Sequence, residues 1–274
     1  DVNCYSMTLW ADFNGSNGRT SVYIKFPKII FYDKNKSNNL SFSEKDRILS
    51  QDEFKSLQYL SQHWDNSHGI NFVKPLAFVK QYNAIITERI ENIFFFKYYR
   101  KYNLLSALAS SKYNTISEYM YKIGISLRTF HNNRFQHSYF DYNILKPKIN
   151  KYIEKLLDYK VNANYLKNAG KTLLDFEFQC TAKLVNNLKG IDIRQIFIDE
   201  KSHKLHIIDP GKITHGYAEN DLARYIITTR VLYWGTFGTF LHLRPSPIFE
   251  KKFISGYYGN DSNSNTMLSL IIVK

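Results

Sequence analysis

The sequence predicts an α+β chain in two parts: a β-rich first third with one helix, then a mostly helical remainder carrying one hairpin. Three observations carry that expectation. Within residues 1–90, β-rich runs such as Ser-Val-Tyr-Ile-Lys-Phe at 21–26 alternate with turn signals. Phe54, Leu57 and Leu60 recur at helical spacing within 51–64. Beyond residue 90 the apolar spacing is mainly helical, except where two β-rich runs, 195–199 and 205–209, flank Glu200-Lys201-Ser202-His203. The expected division is 1–90 and 91–274, two lobes sharing a cleft, which a chain of 274 residues can build.

In chain order, residues 4–10 read as a strand and Asn14-Gly15-Ser16-Asn17-Gly18 as a turn before the strand at 21–26. Residues 35–43 are polar and read as a loop. The helix at 51–64 stops at 65–69. Two short strands follow, 72–79 and 84–90, around Gln81-Tyr82-Asn83. Residues 104–127 and 148–159 are amphipathic, and 171–188 reads as another helix. After the hairpin come helices at 221–234 and 249–258. No internal repeat or low-complexity tract interrupts the chain.

Apolar residues make up 44% of the sequence, enough for a sizeable core and against global disorder. The formal net charge of +13 favours polyanionic partners such as nucleotide phosphates, anionic lipid headgroups or acidic glycans. Its lysines are dispersed rather than gathered in a basic arm, so nucleic acid is not the expected partner. Cys4 and Cys180 form no metal-binding or disulfide pattern, which fits a reducing cytoplasm. Attachment to an anionic membrane surface is the other option that the charge leaves open. No apolar run approaches the roughly 20 residues of a membrane helix, and no signal peptide is visible. Because the chain starts at Asp1 rather than Met, a preceding strand is an open expectation.

Four residues carry chemistry. Lys25 ends the run Val22-Tyr23-Ile24-Lys25, and a strand lysine facing a cleft suits a phosphate; Lys28 competes for that role. Glu53 shares a helix face with Leu57, so it points toward the core and calls for a cation there. Asp209, in Ile207-Ile208-Asp209-Pro210-Gly211, stands at a strand end beside a tight turn, a placement suited to Mg²⁺. Asp221 reads as the N-cap of the next helix.

Taken in order, these segments resemble the aminoglycoside-phosphotransferase-like branch of the protein-kinase-like fold, in particular its small-molecule and polysaccharide-associated sugar kinases. The matching stretches are 22–28, 51–60, 73–78, 84–91, 123–131, 195–211, 221–225 and 253–257, nearly the whole chain. The resemblance implies a two-lobed kinase-like fold, ATP and Mg²⁺ as cofactors, and a hydroxyl on a small molecule or glycan as acceptor. It implies that Thr87-Glu88-Arg89-Ile90 is the hinge, so Glu88 and Ile90 join Lys25 and Glu53 as nucleotide-binding residues. It implies that Asp209 and Gln195 are metal ligands, and that Asp221 braces the catalytic loop from below.

One departure stands out. The catalytic loop of that branch reads roughly His-Gly-Asp-Phe-x-x-x-Asn-Ile, whereas residues 188–196 here read Leu-Lys-Gly-Ile-Asp-Ile-Arg-Gln-Ile. Gly190 occupies the aspartate position and Gln195 the asparagine position. Asp192 is the nearest carboxylate and therefore the candidate catalytic base. Three readings stay open: Asp192 acts through a reshaped loop; the base is dispensable, because such catalysis is mostly positioning and charge stabilisation; or the domain binds nucleotide or a partner without turnover. A second Asn-Ile-Leu, within 136–145, reads as a loop with His137 and Asp141 as substrate-side candidates. Residues 14–18 carry two glycines but no GxGxxG phosphate loop.

Overall fold

The computed structural model describes residues 6–15, 18–27, 44–90, 93–104, 110–158, 163–199, 202–240, 247–259 and 265–273. Cys4, Ser16, Asn17, Lys28, the loop at 35–43, Tyr159 and Glu200 lie outside them.

Alternating β-formers in β1 (Ser6–Gly15) and β2 (Gly18–Pro27) make a hairpin, in antiparallel register from Ser6 opposite Pro27 to Gly15 opposite Gly18. β2 also pairs with β5 (Ala84–Glu88), and β5 with β4 (Pro75–Val79), for the order β1-β2-β5-β4. Helix α1 (Glu44–His63) packs against this sheet and buries Leu57 and Leu60. Each such side chain contributes about 1.5–3 kcal/mol. The helix begins at Glu44 rather than at 51, with Glu44 and Asp46 in its first turn, where the macrodipole favours acids. Glu53 is therefore well inside the helix, and its orientation is set by the packed face it shares with Leu57.

A second sheet, β3-β10-β9-β6, joins the two parts of the chain. β3 (Ile70–Phe72) runs parallel to β10 (Lys204–Ile207), which pairs with β9 (Ile196–Asp199), and β9 with β6 (Ile93–Phe94). The hairpin read around 195–209 is thus present, but it holds a strand from the first ninety residues on one side.

A third sheet was not legible in the sequence. β8 (Gln179–Leu188) lies between β7 (Phe135–Asp141) and β11 (Ile213–Tyr217). This corrects the helix expected over 171–188, of which only the start is helical, as the end of α5 (Ala163–Asp175). It also corrects the loop expected over 136–145, which is β7 and a short 3₁₀ turn. Near its C-terminal end β8 is buried on both faces, with Val185, Asn187 and Leu188 all covered. There the period-two alternation that Gln179–Lys183 keep, and by which a strand is recognised, breaks down.

The remaining helices are α2 (Phe95–Leu104), α3 (Ser110–Asn133), α4 (Lys146–Asp158), α6 (Glu219–Phe240), α7 (Pro247–Tyr258) and α8 (Asn265–Val273). Of the helix read over 104–127, residue 104 ends α2 and 110–127 belong to α3, while 105–109 lie outside the described residues. α3 and α7 touch backbone to backbone. A Cβ on Gly124 would overlap the Phe253 carbonyl, and one on Gly256 the Tyr121 carbonyl. The core runs without a break from Leu57 and Ile85 through Phe95 and Leu127 to Val185 and Tyr225. Among the described residues no helix is long and apolar enough to cross a membrane.

Candidate functional site

Three of the residues singled out in the sequence meet at one point. Lys25 Nζ donates to both carboxylate oxygens of Glu53 at 2.8 Å, and lies 3.0 Å from Asp209 Oδ2. Each side chain is held by a different element: Lys25 by β2, Glu53 by α1, and Asp209 by the turn after β10. Asp209 has φ of 54°, in the left-handed region that Asp enters more readily than most residues. α1 is tied to the segment after Asp209 by two further contacts. Lys212 Nζ is 2.8 Å from Asp52 Oδ2, and the Ile213 N–H donates to Ser56 Oγ at 3.1 Å.

The cluster is partly withdrawn from water: Lys25 is 25% exposed at its side chain and Glu53 13%. Burial lowers the Lys25 pKa, but the Glu53 and Asp209 carboxylates more than offset it and hold the ammonium above its usual value. Burial acts on Glu53 in the opposite sense, raising its pKa to about 7 against the pull of Lys25, with the Asp209 charge adding to the rise. Two carboxylates share one ammonium here, so the site has capacity for a further cation.

Beside the cluster opens a cavity of about 410 Å³. Val73 and Ile85 line it from one side, Phe197 and Ile208 from the hairpin of β9 and β10, and Thr87, Ile90 and Phe94 at the connection between the two parts. An apolar slot with a cation and a carboxylate at its end suits a flat apolar base joined to a polyphosphate.

No protein-family profile and no curated protein sequence matches the chain. Solved structures do. A glucosamine kinase in complex with glucosamine, ADP and inorganic phosphate aligns over 97% of this chain and 74% of its own, at TM-score 0.57 and 8% identity. Another crystal form of a glucosamine kinase aligns over 100% and 72%, at TM-score 0.52 and 8% identity. A choline kinase from Streptococcus pneumoniae aligns over 97% and 80%, at TM-score 0.46 and 14% identity.

The fold is kinase-like.

In this kinase-like cleft the other expected residues stand as follows. Ile90 lines the cavity, whereas the Glu88 carboxylate turns away to accept from the Lys74 N–H at 2.8 Å. Gln195 does not face the cavity. With its amide nitrogen turned to donate, it reaches the backbone carbonyls of Gly190 and Asp209. It thus ties two loops together. Asp192 is also outside the cavity lining. It is 5% exposed and caps its own 3₁₀ turn, accepting from the Arg194 N–H at 2.8 Å and from Arg194 Nε at 3.0 Å. His137 and Asp141 are on β7, and Asp141 accepts from the Asn143 N–H.

Gly190 explains why no aspartate stands in its place. Its N–H donates to the Pro210 carbonyl at 2.8 Å. A Cβ there would fall 2.7 Å from the Pro210 carbonyl oxygen and overlap that of Asp209. The loop is braced from behind by Asp221, whose Oδ2 accepts from the Leu188 N–H at 2.7 Å. The same oxygen is 3.1 Å from His131 Nε2, and His131 Nδ1 is 2.8 Å from the Tyr257 hydroxyl. The fully buried His131 was marked in the sequence only as the end of 123–131, one of the stretches that carry the resemblance. The apolar lining gave no signal, because it is gathered from separate strands.

Proposed function

We propose that the chain is an ATP- and Mg²⁺-dependent phosphotransferase acting on a hydroxyl of a small molecule, sugar or glycan. The observation that carries this reading is the Lys25–Glu53–Asp209 cluster at the end of the apolar cavity. In it Lys25 holds the α- and β-phosphates, and Glu53 keeps the ammonium in place. The adenine lies between Val73 and Ile85 on one side and Phe197 and Ile208 on the other, against the Thr87–Ile90 connection. The donor set fits magnesium, which ordinarily takes one or two carboxylates together with substrate phosphates. Asp209 is the protein ligand in that arrangement. Magnesium, when bound, neutralises the charge that gathers on the β- and γ-phosphates.

No carboxylate in the catalytic loop lines the cleft, so catalysis rests on positioning and charge stabilisation. A positioned general base typically supplies about 10²–10⁴-fold, and turnover is expected to be lower by that order. A second reading, a non-catalytic module that binds nucleotide or a partner, is favoured by one feature: the backbone packing that leaves no room for a side chain at Gly190.

Thermal denaturation with and without Mg²⁺-ATP tests the shared part. Ligand at about 100 times its Kd stabilises by about 2.7 kcal/mol, a rise of several degrees. Asp209→Ala is expected to abolish the Mg²⁺-dependent part of that rise. No response of the wild-type chain to Mg²⁺-ATP would sink the first reading and the nucleotide-binding form of the second. Phosphorylated product from any hydroxylated acceptor decides for the first; binding without product across an acceptor panel decides for the second.

A further inference from the structure

A separate cavity of about 440 Å³ is walled by Lys189 at the end of β8, by β11 and by the first turns of α6. Lys189 directly precedes Gly190, whose backbone is hydrogen-bonded to Pro210 in the turn that presents Asp209. The wall of this cavity and the turn that carries Asp209 are thus joined by a backbone contact.

The lining has a one-sided charge. Apart from a tyrosine, its ionisable side chains are Lys189, His215, Arg224 and Asp221. Asp221 is 1% exposed and already engaged by the Leu188 N–H and His131, so it is not available to an incoming cation. Lys189 and Arg224 have no carboxylate partner among the described residues. Asn187 and Asn220 add neutral hydrogen-bonding groups suited to hydroxyls. A cationic acceptor would meet two positive charges, on the exposed Lys189 and the half-buried Arg224, and no free carboxylate. An anionic one would meet the donors that bind carboxylate and phosphate best.

We infer that this cavity is the acceptor site, and that it takes a hydroxylated small molecule bearing a carboxylate or phosphate group. Its place in a reaction rests on the phosphotransferase reading; its ligand class rests on the charge of its own walls. The aligned glucosamine kinase structure holds an amino sugar. The lining here selects the opposite charge.

The test is direct binding by calorimetry to the full chain without nucleotide. The probes are glucuronate, glucose 6-phosphate, glucose, glucosamine and inorganic phosphate. At least one of the two anionic sugars is expected to bind about ten- to a hundredfold tighter than glucose, as one or two charge-assisted hydrogen bonds provide. Glucosamine is expected to bind no tighter than glucose. Which of the two anionic sugars wins separates a carboxylate from a phosphate acceptor. The double variant Lys189→Gln, Arg224→Gln should lose the preference, and Lys189→Arg, Arg224→Lys should keep most of it. Glucosamine binding as tightly as the anionic sugars, no binding by any sugar, or inorganic phosphate binding as tightly as both anionic sugars would overturn the inference. So would an anionic preference that survives the double Gln variant. The Mg²⁺-ATP thermal response of the same samples separates the two failures. A normal response with no anionic preference removes this acceptor class alone. An absent response with the preference intact removes the kinase reading and leaves the ligand class standing.

Discussion

Lys25 is the residue on which the cleft turns, because it lies between two carboxylates that would otherwise repel each other. The consequence falls on Glu53, whose carboxyl burial pushes up to about 7. In the unfolded chain a glutamate releases its proton near pH 4.3. The folded state therefore binds more protons between these values, and its stability falls as pH rises from about 4.5 to about 7. This is the reverse of the usual ion-paired carboxylate, whose contribution is lost on acidification. Glu219, raised by its own burial, adds a slope of the same sign. Denaturant midpoints of the nucleotide-free protein across that range should decline, and Glu53→Gln should flatten the decline while keeping a hydrogen bond to Lys25. A decline of unchanged steepness in Glu53→Gln would show that Glu53 titrates as an ordinary surface glutamate.

At the scale of elements, the decisive contact is between two turns, one after β8 and one after β10. Gly190 and Pro210 meet backbone to backbone, and the Ile208 N–H donates to the Gln195 carbonyl at 2.9 Å. An added methyl at 190 has nowhere to go, because its neighbours are carbonyls rather than movable side-chain ends. Gly190→Ala is expected to cost about 1–3 kcal/mol, as overpacked sites do, and Gly190→Asp at least as much. Installing an aspartate at 190 should therefore lower the melting temperature and fail to raise turnover. A stable, more active Gly190→Asp protein would mean that the turns are apart in solution. The hairpin that builds one of these turns was legible in the sequence, because β9 and β10 are short, β-rich and separated by turn residues. The strand before the other, β8, was not. It follows the end of α5 closely, and its alternation of exposed and covered residues, held over Gln179–Lys183, breaks where Leu184 and Val185 stand side by side and Asn187 and Leu188 are both buried. β7 was missed for a related reason: six of its seven residues stay at least partly exposed, and only Phe140 is fully buried.

Across the whole molecule, the sequence exposed the half of the site whose residues are chemically conspicuous in their own elements. Lys25, Glu53 and Asp209 each stood out in a strand, a helix and a turn. The cavity wall did not, because Val73, Ile85, Phe197 and Ile208 are ordinary apolar residues until the fold gathers them. Gly190 announced a missing carboxylate, but only packing says why none fits. The helical part has a corresponding centre in His131, which links α3 to α7 through Tyr257 and to α6 through Asp221. Nε2 faces the Asp221 carboxylate and donates to it, while Nδ1 shares a hydrogen bond with the Tyr257 hydroxyl. His131→Ala removes both partners at once and leaves a buried hydroxyl and carboxylate oxygen short of hydrogen bonds. The expected cost is about 1–3 kcal/mol for each such group. Since Asp221 Oδ2 also holds the Leu188 N–H, hydrogen exchange at Leu188 and the residues after it should accelerate beyond what the global loss of stability explains. The Lys25–Glu53 pair belongs to the other part of the chain, so the Mg²⁺-ATP thermal response of His131→Ala should persist at temperatures where the variant is folded. A uniform acceleration across all amides would instead make His131 a generic core residue, with no particular hold on the loop.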